Sequence, residues 1–143
     1  MNKALLLLIS LVIFTSCSQC TTDVECIQVD YDNIDDMTAW DVSPRKFDFY
    51  VENNGDQKTM VITDKCDICS IIDEFDQIMQ HDTISLGVDT RMRFTIKHRY
   101  KTERVYMGRN TIMIREESYW LPNESLKKIL KHVDEDQLRR IEL

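Results

Sequence analysis

From Arg91 to Tyr100 the chain alternates without a break: Met92, Phe94, Ile96, His98 and Tyr100 fall on one phase, and Arg91, Arg93, Thr95, Lys97 and Arg99 on the other. Successive strand side chains point to opposite faces, so this run predicts one long strand with a buried face and an outward face. Val105 and Met107, then Ile112 and Ile114, continue the pattern, with turns near Lys101-Thr102 and Arg109-Asn110. That spacing predicts an antiparallel meander, to which Ser118 to Leu121 adds a short strand or lead-in.

A sheet with one apolar face needs a cover, and two segments have helical spacing. Behind Asp64, a suitable N-cap, Ile68, Ile71, Ile72, Phe75, Ile78 and Met79 form one stripe. Pro122-Asn123 opens a second helix with Leu126, Ile129, Leu130 and Val133. Upstream, Phe47, Phe49 and Val51 alternate, Asn53-Asn54-Gly55-Asp56 supplies turn residues, and Thr59 to Thr63 returns, which together predict a hairpin. The expectation is an α+β fold in the order hairpin, helix, meander, helix: an antiparallel sheet of about five strands with two helices on one face.

The N-terminus carries a different kind of signal. Lys3 precedes an apolar run from Ala4 to Phe14, too short to span a bilayer comfortably, and Thr15 and Ser16 lead into Cys17. This arrangement resembles the lipobox of bacterial lipoproteins. The resemblance implies cleavage after residue 16, acylation (palmitate among the chains) at Cys17, and a lipid anchor in the cell envelope. Ser18, where Asp would retain such a protein at the inner membrane, favours the outer membrane. Residues 17–43, rich in Asp and Glu, are expected to form an acidic tether, with a short strand where Ile27, Val29 and Tyr31 alternate; residues 44–143 are expected to form one domain. Removal of Lys3 with the signal takes the net charge from −7 to −8, which argues against nucleic acid as a partner.

With Cys17 acylated, Cys20, Cys26, Cys66 and Cys69 remain, an even number that favours disulfides in an oxidising compartment. Cys66-Asp67-Ile68-Cys69 is also a C-x-x-C at a helix N-terminus, where the dipole and free N–H groups stabilise a thiolate. A thioredoxin-like enzyme would also need a cis-proline facing the pair, and Pro44 and Pro122 stand in the wrong places. A structural disulfide is therefore expected, with a thiol–disulfide function as the alternative. His81, His98 and His132 stand alone rather than in ligand pairs, and Asp30, Asp32, Asp35 and Asp36 lack the glycine and closing Glu of a calcium loop, so neither metal nor cofactor is expected. No nucleophile motif or phosphate-binding glycine loop is present, so no catalytic residue is assigned.

Arg91, Arg93, Lys97 and Arg99 share the outward phase of the long strand, and Arg104 extends the stripe. Like charges so close repel unless acids or a partner offset them. Either Asp48, Glu52 or Glu103 neutralises the stripe, or it binds an anionic partner: an acidic protein, a sugar acid or lipid head groups. The words VITDK, VDTRMRF and SYWLPNESLKKIL, in this order of strands and helices, look like small lipoproteins of gut Bacteroidetes whose function is unassigned. This likeness covers about Lys58 to Val133 and transfers no site residue. The expected function is a non-catalytic binding or inhibitor-like and immunity-like accessory role at the membrane, with a structural envelope component as a further alternative.

Overall fold

The computed structural model describes residues 21–34, 41–53 and 55–142. The signal segment 1–16, Cys17, Cys20, Asp35 and Asp36 lie outside the described residues. In chain order the elements are β1 (Val24–Tyr31), α1 (Pro44–Asn53), β2 (Lys58–Ile62), α2 (Lys65–Ile78), β3 (Met92–His98), β4 (Thr102–Met107), β5 (Thr111–Ile114), β6 (Glu117–Trp120), α3 (Asn123–Leu130) and α4 (Glu135–Glu142). The strands form one sheet in the order β2-β1-β3-β4-β5-β6, antiparallel throughout. The α+β class and the meander are as expected; the sheet has six strands rather than five.

Register separates the two faces. Val29 lies opposite Phe94, Phe94 opposite Val105, and Val105 opposite Ile114, all buried. On this face α2 packs Ile68, Ile71, Phe75 and Ile78, and α3 packs Leu126, Ile129 and Leu130. Phe75 meets Phe94 edge to face at 5.4 Å between ring centres. Asp64 caps α2, its carboxylate accepting from the N–H groups of Cys66 and Asp67. The register of β1 shifts between Val24 and Cys26, and this bulge turns Val24 onto the core face with Ile27 and Val29.

Two expectations are corrected. Residues 44–53 are helix α1, not the first arm of a hairpin. Pro44 is pre-set for a helical first position, and Phe47 donates its N–H to the Ser43 carbonyl at 2.9 Å. Phe47 is buried while Phe49 is exposed, so the alternation at these positions does not correspond to a strand face. The vacant place in the sheet is taken by β1, which contains the short strand expected at Ile27, Val29 and Tyr31 within the acidic stretch. It is an interior strand flanked by β2 and β3, so the folded unit begins near residue 24 rather than at 44.

Candidate functional site

The sheet face opposite α2 and α3 carries Asp30, Arg93 and Tyr106 in one row, Asp30 opposite Arg93 and Arg93 opposite Tyr106. Helix α1 lies over this row and lowers Asp48 into it. Arg93 donates from Nη2 to Asp30 Oδ2 and from Nη1 to Asp48 Oδ1, each at 2.8 Å. Asp48 also accepts from Arg104 Nη1 at 3.0 Å and the Tyr106 hydroxyl at 2.8 Å. Asp30 is completed by the Thr59 hydroxyl at 2.8 Å and the Gln28 amide at 3.1 Å. Burial disfavours the Arg93 charge, but hydrogen bonds to Asp48 and Asp30 outweigh it and hold the guanidinium above its ordinary pKa. Burial and the Asp48 carboxylate both raise the Tyr106 phenol.

The five cations of the stripe therefore separate. Arg93 is 6 % exposed and Arg91 is 5 % exposed, so neither is the outward surface group the alternation suggests. Arg91 pairs with Asp89 at 2.7 Å, and α1 covers Arg93. Asp48 and, at 4.0 Å, Glu52 supply the neutralising acids. Lys97, Arg99 and Arg104 are exposed.

Beside this cluster, β5 and β6 turn back before they reach the start of β4, leaving a groove of about 340 Å³. It is lined by Glu103, Arg104, Tyr106, Met113, Arg115 and Glu116. Arg115 is the residue that sequence reasoning missed. It and Glu116 form the two-residue β5–β6 turn, with φ of 52° and 67°. Turns of this kind favour Asn and Gly, so the pair Arg-Glu gives no turn signal in the sequence. The only clue is the two-residue gap between Ile114 and Glu117.

Cys66, exposed in the first turn of α2, and Cys69, buried one turn on, are both disulfide-bonded. Cys26 is a free thiol, which removes it from the expected disulfide set. Its position shares a sheet face with Gln28 and Asp30, while α2 packs on the other face, so the sheet separates Cys26 from Cys66 and Cys69. Pro44 opens α1 and Pro122 precedes α3, and no peptide bond is cis among the described residues. Two of the three histidines are tied to acids: His98 Nδ1 lies 2.9 Å from Asp23 and His132 Nδ1 2.9 Å from Asp67. Among the described residues no three His, Cys, Asp or Glu side chains converge as metal ligands.

No family model matches this chain, and neither a curated protein nor a solved structure matches it.

Proposed function

We propose that this chain is a lipid-anchored protein of the cell envelope, held at the outer membrane through Cys17, whose domain binds an anionic partner without catalysis. The observation that carries the binding role is the groove beside α1, where Arg104, Arg115 and Tyr106 line an open space, with Glu103 and Glu116 on its rim. Buried Arg93 is fixed beside it by ion pairs to Asp30 and Asp48, and Asp48 in turn holds Arg104 and Tyr106 in place. A guanidinium offers fork-like donors to carboxylate or phosphate, and Tyr106 adds a flat wall. Among the described residues no helix is long and apolar enough to cross a membrane, so on this proposal the anchor is the lipid.

The test is retention on polygalacturonate resin, and capture from envelope extracts, at about 0.05 and 0.5 M salt. Binding is expected to fall with salt and to weaken at least about tenfold in Arg115→Glu, whose side chain is exposed and whose loss leaves the fold intact. Equal retention by both proteins, with equal thermal melts, overturns the groove as the binding site. The second reading, a thiol–disulfide protein, draws on the exposure of Cys66 at a helix start. It requires disulfide-reductase turnover that is lost in Cys66→Ser.

A further inference from the structure

The end of the sheet from which β1 emerges has a composition unlike the rest of this acidic chain. Val24 pairs with His98 at the end of β3, and Asp23 bonds to the His98 ring, so the start of β1 and the β3–β4 turn are direct neighbours. That turn is Arg99-Tyr100-Lys101. Tyr100 is 88 % exposed, and the Arg99 guanidinium stands 5.4 Å from its ring centre. Lys101 pairs with Glu103, and His98 occupies Asp23. Lys97 and Arg99 have no carboxylate partner among the described residues. Arg115 stands at the same end, around a cavity it shares with Asp23, His98 and Lys101. The acids this surface has to outweigh are Glu25 at the bulge, Glu116 beside Arg115 and Asp76 on the cavity rim, all exposed.

Five residues lie between Cys17 and Asp23, six Cα–Cα steps that span at most about 22 Å when fully extended. With Cys17 acylated, the β3–β4 turn is therefore the part of the domain kept within about one tether length of the head groups. A tyrosine beside cations is the side-chain set that settles at a membrane interface, the ring at the level of the head groups and the cations against anionic lipid.

We propose that Lys97, Arg99, Tyr100 and Lys101 form a second contact with the bilayer, docking the domain on anionic phospholipid head groups with this end of the sheet down. The inference rests on acylation of Cys17 and goes beyond it, because an acyl anchor alone leaves the domain free to tumble on its tether. Docking in this orientation would set the long edge of the sheet and the groove beside α1 at a fixed height above the membrane.

The experiment uses the acylated protein reconstituted into vesicles containing brominated phospholipid, either with phosphatidylglycerol or with phosphatidylcholine alone. In Tyr100→Trp, fluorescence from position 100 should be quenched above the background of the native Trp40 and Trp120. That excess should appear with phosphatidylglycerol, and should fall by about half or more with phosphatidylcholine alone and in a Lys97→Ser/Arg99→Ser background. Thermal melts matching the parent check that all variants fold. Flotation of the protein with vesicles in about 0.5 M salt reports the acyl anchor separately, since salt screens head-group attraction but not chain burial. Flotation without excess quenching overturns the docking surface alone. Failure to float overturns the acyl anchor and the docking inference with it.

Discussion

Asp30 is 1 % exposed, and its charge is tolerated because Arg93, Thr59 and Gln28 all donate to it. A buried ion pair is not in itself strongly stabilising, but removing one partner leaves the other charge uncompensated. Arg93→Met should therefore cost about 3–5 kcal/mol in urea unfolding, and adding Asp30→Asn should recover much of the loss. A cost below about 1 kcal/mol would mean that Arg93 behaves as a surface residue. Arg93→Glu should be worse still, because it sets a third carboxylate beside Asp30 and Asp48. Tyr31 makes a pH prediction of the opposite sign to the usual carboxylate case. Burial, then its hydrogen bond to Asp134 at 3.0 Å, pushes its phenol up to about 12. The unfolded chain releases that proton near pH 10, so the stabilisation is complete below pH 10 and is lost as pH rises to about 12. It amounts to about 3 kcal/mol at most. In alkaline unfolding curves, Tyr31→Phe should lose less stability than the parent between those limits; parallel curves would rule out the linkage.

The elements differ in how plainly the sequence announces them, and the reason is local. Helix α2 combines a capping Asp64 with a stripe of Ile68, Ile71, Phe75 and Ile78, so cap and periodicity agree. Strands β3 to β5 have one apolar face, and alternation follows. Helix α1 buries Phe47 alone among its residues and faces the sheet with Asp48, so its position is set by ion pairs to residues far along the chain. Periodicity cannot report such a contact, and three alternating apolar residues read as a strand. The face of the arginine stripe was legible, but the helix that covers it was not. The β5–β6 turn escapes notice for a related reason, since Arg115 and Glu116 occupy a backbone region that suits neither. Glu116→Gly should raise stability by about 1 kcal/mol in thermal or urea melts, because it relieves a left-handed conformation at an exposed site. An unchanged or lower midpoint would show that the turn is held there without strain. Gly108 is the opposite case: a Cβ built there meets the Asp89 carbonyl oxygen at 2.3 Å. Gly108→Ala should accordingly cost about 1–3 kcal/mol.

For the molecule as a whole, the question is where the cooperative unit begins. Stability in a single small domain comes from one contiguous core. Here that core runs from Val24, Ile27, Val29 and Tyr31 on β1 through β3 to β6 and up into α2 and α3. Strand β1 joins β2 to the rest of the sheet, so without it β2 has no partner strand and β3 exposes a new edge. It also carries Asp30, the buried partner of Arg93, and Tyr31, which bonds to Asp134 ahead of α4. A chain that starts at residue 44 keeps every helix but loses all of these at once. It should therefore fail to give a cooperative thermal transition or dispersed amide resonances, whereas a chain that starts at residue 21 should give both. Hydrogen exchange on the longer chain should place the amides of Ile27, Val29, Phe94 and Ile96 among the slowest, since they are buried in two adjacent interior strands. Cooperative folding of the shorter chain would show that β1 is an addition to the domain. Its failure, with the longer chain folded, would place the acidic tether ahead of residue 24 and make β1 part of the fold's centre.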